Sequence, residues 1–474
     1  MVFPTLSFLV FYLITWPIAW GLVWLRQHTL HKLAIILASY VFYASWSTRL
    51  AGVLLASVLF NWAAGRLIYA WRGRSAAKWA VVIAVMVNLG VLGFFKYFNF
   101  FADSLTASLT ALGAPAYTHS VLRIVLPPGI SFYTFQAVAY IIDVYKGKLK
   151  PAESFVDYAL FISFFPHLVA GPIQRPSHLL PQVQQPRQFH SDSFFDGLML
   201  ILSGMFRKCV VADSCAMVAD AAFSGRMGPP NAGIVLVGMY AFAWQIYADF
   251  SGYSDMARGS AQLMGFHFMV NFRQPYLATS LQDFWRRWHI SLSTWLRDYL
   301  YIPLGGNRYG EIRTYRNLLS TMLLGGLWHG ANWTFVVWGG IHGLWLSIER
   351  GLGFDRHDRK EPSTAGKWGR RIFVFHLVGL AWIFFRAPSI SGAFHFIGGL
   401  TNMHFGHTFT SAMAFLATYT LPLFLLDLAL ESRGEEYFLQ RSPVRLRLAG
   451  GIGLAALVTT FAANTGGAFI YFQF

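Results

Sequence analysis

Long apolar runs, each about the length of a membrane crossing or somewhat shorter, alternate with short polar stretches along the whole chain. They lie near 3–25, 33–47, 50–71, 79–101, 124–145, 155–173, 194–212, 231–250, 317–348, 372–386, 412–430 and 446–463. None carries the strict alternation of a half-buried strand. Lipid offers the backbone no hydrogen-bond partner, so such runs must be helical wherever protein does not shield them. The pattern predicts an all-α integral membrane protein.

Composition agrees. Of 474 residues, 55% are hydrophobic and 17% aromatic, and only 12% are charged, against about 25% in soluble domains; the mean hydropathy is +0.46. Length therefore counts membrane spans, and residues 1–474 read as one polytopic domain. No basic residue precedes Arg26 and no small-residue cleavage site follows the first run, so that run reads as a retained span. The net charge of +16 would raise the question of nucleic acid in a soluble protein. Here the basic residues sit in short loops (Arg26 and Lys32; Arg72, Arg74 and Lys78; Lys146, Lys148 and Lys150), which membrane orientation explains first. The positive-inside rule puts the amino terminus outside, Arg350–Arg371 and Arg433–Arg447 in the cytoplasm, and 387–411 outside. Nucleic acid is set aside. Cys209 and Cys215 lack a metal-type or disulfide-framework spacing and read as packing residues.

The stretch 273–316 differs from the rest. It carries seven arginines (Arg273, Arg286, Arg287, Arg297, Arg308, Arg313 and Arg316) amid Phe, Trp, Tyr and Leu. On a helical wheel Phe284, Trp288, Leu292, Trp295 and Tyr299 fall within about 80° of one another, with Arg286, Ser293 and Arg297 opposite. This predicts one amphipathic helix at the cytoplasmic surface, opened by a Ser280/Asp283 capping box and stopped by Pro303, Gly305 and Gly306. Arg286, Arg287 and Arg297 could meet a donor's phosphates, although arginines so placed also suit anionic lipid headgroups.

Between Arg316 and Arg350 lie 33 residues without a basic side chain. Since both flanking arginines read as cytoplasmic, this segment should be a helical hairpin that enters the bilayer and returns, turning near Gly330–Trp333. His329 then lies roughly 20 Å from the cytoplasmic interface, counting about 1.5 Å per residue from Arg316. An imidazole at that depth is costly and faces a cavity or a partner. Desolvation would keep it neutral, the form a general base needs; the same placement also suits His329 and Asn332 as hydrogen-bonding glue between helices. His342, beside Gly339 and Gly343, reads as structural, and Gly326/Gly330 and Gly339/Gly343 have the spacing for close helix contact. His289 falls at the border of the amphipathic helix's two faces. Two more polar clusters stand in apolar surroundings. One is Tyr247–Gly259, where Asp255 and Arg258 are spaced for a local ion pair; the other is Phe164–Pro176, with His167, Gln174 and Arg175. Metalloprotease, nucleophile-elbow, P-loop and dinucleotide-binding motifs are absent.

Taken together, FFPHLVAGPIQRP, YADFSGYSDMARG, FWRRWHISLSTWLRDYLYIPLGGNR and GGLWHGANWTFVVWGGIHG, in this order, resemble the membrane-bound O-acyltransferase (MBOAT) family, most of all its bacterial alginate O-acetyltransferase branch. The resemblance spans nearly the whole chain. It implies a ring of about a dozen transmembrane helices around a central tunnel, with donor entering from the cytoplasm and acceptor from outside. It maps the family's invariant histidine onto His329 and its second recurrent histidine onto His289, making these the catalytic candidates. Trp328, Asn332 and Trp333 would shape the site, and Arg286, Arg287 and Trp288 would contribute to substrate binding. The implied reaction carries acetyl from a cytosolic thioester, acetyl-CoA or an acyl carrier, towards a polysaccharide hydroxyl. No bound cofactor or metal is implied. Attack on the thioester is either direct or through an acetyl-histidine. The branch also implies a separate periplasmic partner with a serine esterase-like fold and residence in the bacterial inner membrane among its lipids. The acceptor could be alginate, cellulose or another cell-surface glycan. A transporter would also bury His, Asp and Arg, yet no repeated halves with paired broken helices are visible. A scaffold for polysaccharide export is the third class.

Overall fold

The computed structural model describes residues 3–113, 124–354, 363–462 and 470. Part of the basic loop Arg350–Arg371 (355–362), the end of the low-charge stretch 102–122 and the last residue of the final run lie outside them. Among the described residues all regular structure is helical. Seven helices are long and apolar enough to cross a membrane. The chain packs as two compact units, Met1–Phe194 with Ser260–Met269, and Phe195–Gly259 with Val270–Phe474.

In the first unit the apolar runs become α1 (Leu6–Trp24), α2 (His28–Ala44), α3 (Thr48–Ala70), α4 (Ser75–Ala111) and α5 (Ile130–Tyr145). Thr5 and Ser47 accept the free amides that open α1 and α3. α4 has 37 residues, which at about 1.5 Å each is near 55 Å, well beyond the run 79–101 that predicted it. Two buried amides join α3 to α4, where Asn61 and Asn88 exchange hydrogen bonds of 3.0 and 2.7 Å. Each leaves the partner's amide satisfied where neither water nor lipid could do so. The segment 260–269 is tied to α1 by the Tyr12 hydroxyl on Ser260 O (2.8 Å) and by the indoles of Trp16 and Trp20 on Leu263 O (both 2.9 Å).

One expected span does not exist as such. The run 155–173 forms α6 (Phe155–Ser163) and a single turn, α7 (Phe165–Leu168), then continues extended to α8 (Pro176–Gln184). Pro166 and the pair Gly171–Pro172 break it. All residues from 157 to 176 are buried, so protein rather than lipid surrounds this irregular backbone. Gly129, ahead of α5, has φ +74°, and a Cβ there would also collide with the Leu168 carbonyl, so both backbone and space require glycine.

The second unit starts within α9 (Ser191–Met205), which runs through a π-helical turn (Phe206–Ala212) into α10 (Asp213–Phe223), followed by all but the last turn of α11 (Ala232–Leu263). The expected hairpin is present as α14 (Glu311–His329) and α15 (Trp333–Gly351), turning at Gly330–Asn332. A Cβ on Gly326 would strike the Phe335 carbonyl, and one on Gly339 the Met322 carbonyl, so the glycine spacing does bring the two backbones together. α16 (Thr364–Arg386), α17 (Ile390–Gly398), α18 (His407–Arg433) and α19 (Val444–Phe461) complete the unit.

The single amphipathic helix expected across 284–299 is a correction. α12 (Leu281–Arg287) and α13 (Ile290–Leu296) are separate, because His289 adopts a left-handed conformation with φ +42° and ψ +53°. The predicted start is right: Ser280 accepts from the Asp283 amide (3.0 Å), while the Asp283 carboxylate takes the Thr279 amide (3.1 Å). Phe284, Trp288 and Leu292 are fully buried, so the face expected to meet lipid meets protein instead.

Candidate active site

His329 is the last residue of α14. Its position follows from the hairpin: glycines let α15 lie flat against α14, and Gly330 ends the helix just beyond the imidazole. The ring is buried and nearly perpendicular to Trp338 of α15 (5.1 Å between centroids), with Phe385 of α16 at 5.4 Å and Trp328 at 5.1 Å. Edge-to-face packing of this kind fixes a ring without giving up its nitrogens.

His289, 40 residues earlier, reaches the same place from the α12–α13 break. Its ring centroid lies 6.4 Å from that of His329 and 5.9 Å from that of Trp328. Phe250 of α11 packs against it edge-on at 4.6 Å, and Phe272 stacks at 6.4 Å. Nδ1 lies 3.1 Å from Asn271 Oδ1. Two buried imidazoles, packed mainly among aromatic side chains, thus stand side by side in the second unit. Such a pair of imidazoles offers groups that can hold and pass a proton.

The other expected site residues divide into two groups. Trp328 touches both histidines. Trp288 is one ring removed, stacked on Phe284 (5.4 Å) and against Trp382 (5.1 Å), whose indole in turn lies on Trp338 (5.5 Å). The remainder are not brought to the histidines. Asn332 caps α15 through Thr334 N (3.0 Å) and donates to Pro388 O (3.2 Å), and Trp333 is 52% exposed. Arg286 is exposed. Arg287 is engaged by Asp283 and Glu431, each at 2.8 Å. Trp338, Trp382, Phe385 and Asn271 were missed. The first three read as ordinary core inside apolar runs, and a lone asparagine in a polar loop gives no signal.

The flanking polar residues are paired with one another. Asp255 pairs with Arg258 (3.5 Å), as their spacing predicted, and Arg258 also meets Glu436 (2.7 Å). Arg207, on the π-helical turn, contacts Asp255 (3.7 Å) and Asp427 (3.4 Å), and Asp427 also accepts from Tyr247 (2.8 Å). Beside it Lys208 joins Asp213 and Asp249, each at 2.8 Å. The wide π turn lets consecutive cations both face inward. His342 packs on Trp338 (4.7 Å) and Trp285 (5.3 Å), one helical turn of α15 away from the His329 contact. At the far end of the hairpin, Gln282, Tyr301, Asn307, Glu349 and Arg350 line a cleft of about 280 Å³.

An all-helical membrane fold holding two adjacent buried histidines, one at the turn of a helical hairpin and one at the α12–α13 break, defines a class, and comparison with known proteins agrees. Residues 152–385, which contain both histidines, match the model of the membrane-bound O-acyltransferase family. The chain belongs to that family and is a multi-pass membrane O-acyltransferase. It is 40% identical to the probable alginate O-acetylase AlgI of Pseudomonas putida across the full length of both, and 47% identical to that of Azotobacter vinelandii over 83% of this chain and 76% of the relative. The peptidoglycan O-acetyltransferase of Helicobacter pylori is 36% identical over 79% of this chain and 74% of its own length.

Proposed function

We propose that this enzyme O-acetylates an extracytoplasmic polysaccharide of the alginate type from the bacterial inner membrane, using a cytosolic acetyl thioester, acetyl-CoA or an acetylated carrier, as donor. The observation that carries the reading is the approach of His329 and His289 to 6.4 Å inside one aromatic enclosure. The full-length similarity to alginate O-acetylases supports the substrate class.

In the proposed reaction the acceptor oxygen adds to the thioester carbonyl while its proton passes to neutral His329. The C–S bond then breaks, the thiolate leaves with the electron pair, and the imidazolium returns the proton to give the free thiol. Trp338, Trp328 and Phe385 keep water from competing for the acyl group. The cleft at the far end of the hairpin, with Arg350 and Gln282 on its walls, suits the polar end of the donor. Passage to the final polymer involves a periplasmic partner with a serine esterase-like fold.

The test is His329→Ala in cells making the polymer, with protein level checked in the membrane. Acetyl content of the exopolysaccharide and turnover of radiolabelled acetyl-CoA should both fall at least a hundredfold. Unchanged acetylation in a normally expressed variant ends the assignment. Because one relative acts on peptidoglycan, its acetyl content is measured in the same strains; loss there alone would move the acceptor to the cell wall.

A further inference from the structure

His289 owes its position to a residue that no sequence pattern marks. Asn271 precedes α12 by ten residues and grips His289 and the first residues of α13. Its backbone carbonyl accepts from the Ile290 amide (2.9 Å). Its side-chain oxygen accepts from the Ser291 amide (3.3 Å) and the Ser291 hydroxyl (2.9 Å), and lies 3.1 Å from His289 Nδ1. Its side-chain nitrogen donates to Ser254 Oγ on α11 (3.1 Å).

The Ser291 amide settles the chemistry. A backbone N–H can only donate, so the Asn271 atom facing it is the carbonyl oxygen and not the NH2 group. That same oxygen faces Nδ1, and an oxygen acceptor requires a hydrogen there. The neutral ring is therefore the Nδ1–H tautomer, with its lone pair on Nε2, and only Nε2 gains or loses a proton. The clamp also holds a left-handed histidine, a conformation that a non-glycine residue keeps only when its surroundings impose it.

We propose that Asn271 is a positioning residue that fixes the proton of His289 on Nδ1, leaving Nε2 as the nitrogen that accepts a hydrogen bond or proton from the reacting hydroxyl. This rests on the acyl-transfer reading with His289 in the site. The rings around His289 belong to Phe250, Phe272, Trp328 and His329, so among these only His329 titrates.

Two measurements on the purified full-length enzyme test it. The first is independent of substrate: in 15N-histidine-labelled protein, the difference spectrum against His289→Gln should show a protonated Nδ1 and a bare Nε2, and Asn271→Ala should mix the tautomers. The reverse tautomer in the unmodified protein overturns the proposal. The second follows kcat and KM for radiolabelled acetyl-CoA against pH. Asn271→Ala should lower kcat about tenfold or more with little change in KM, and should have no further effect in a His289→Gln background. Asn271→Asp keeps the acceptor oxygen but loses the donor to Ser254 Oγ, so its unfolding temperature is measured alongside. Its negative charge favours the imidazolium, so the acid limb of the pH profile should move to higher pH by about a unit or more. An unmoved limb in Asn271→Asp, or an equal loss from Asn271→Ala with and without His289, reduces Asn271 to a structural residue. A correct tautomer with no loss of rate would remove His289 from the reaction and leave the assignment of His329 intact.

Discussion

His329 and His289 share one aromatic enclosure but are held there by opposite means. His329 ends a regular helix, and its place follows from the packing of α14 on α15 through Gly326 and Gly339. His289 sits on a strained residue between two seven-residue helices, held by hydrogen bonds from a loop that is distant in sequence. The first histidine is fixed by many weak backbone contacts spread over a hairpin, the second by a few bonds to one side chain. The first should therefore fail only when the fold fails, whereas the second can be misplaced within an intact fold.

The sharpest way to break this contrast is at the wall next to His329. Trp338→Ala leaves a large buried cavity between His329, Trp382 and Phe385 and should cost about 3–5 kcal/mol; activity and thermal stability in detergent should fall together, and Trp338→Phe should restore most of both. Gly339→Val drives a side chain into the Met322 carbonyl and should cost about 1–3 kcal/mol or more, read as a lowered unfolding temperature alongside lost turnover. A smaller effect is expected at the clamp. Ser291→Ala removes one of three groups on the Asn271 oxygen and should cost about 0.5–1.5 kcal/mol, with the larger change in kcat. Trp333→Ala, on the exposed side of the turn, should change stability by less than about 0.5 kcal/mol and leave acetyl transfer near the unmodified level. A large loss there would place Trp333 in the site, where the sequence reading first put it.

The same contrast explains what could be read in advance. The hairpin was legible because a long run without basic residues, bracketed by arginines, can only go in and come back, and because its glycines fall four residues apart. The break at Trp288–His289 was not, since it contains neither Gly nor Pro and its cause lies in Asn271, whose hydrogen bonds have no local pattern. The irregular backbone after α6 was signalled by Pro166 and Gly171–Pro172, yet the surrounding apolar run concealed it. Hydropathy cannot distinguish a segment wrapped in lipid from one wrapped in protein. For the same reason Trp338, Trp382 and Phe385 looked like any other core aromatics, whereas the family block around His329 points to Asn332 and Trp333 for the site, and the structure places Asn332 at the cap of α15 and leaves Trp333 half-exposed. The Asp255–Arg258 pair was foreseen from its spacing, but its extension to Arg207, Asp427 and Glu436 joins residues far apart in sequence.

That extension bears on how the chain is made. Arg207 is synthesised 220 residues ahead of Asp427, with which it ends up buried, an interval of roughly ten to forty seconds at ordinary rates of translation. Asp255 arrives first and can hold the guanidinium in the meantime, but the contacts of Arg207 and Tyr247 with Asp427 cannot form until α18 has been made. Assembly of the second unit thus waits for a late helix to meet an early cation, and a ribosome stalled ahead of His407 should leave a nascent chain whose Arg207 lacks its Asp427 partner and that membrane quality control recognises as unfinished.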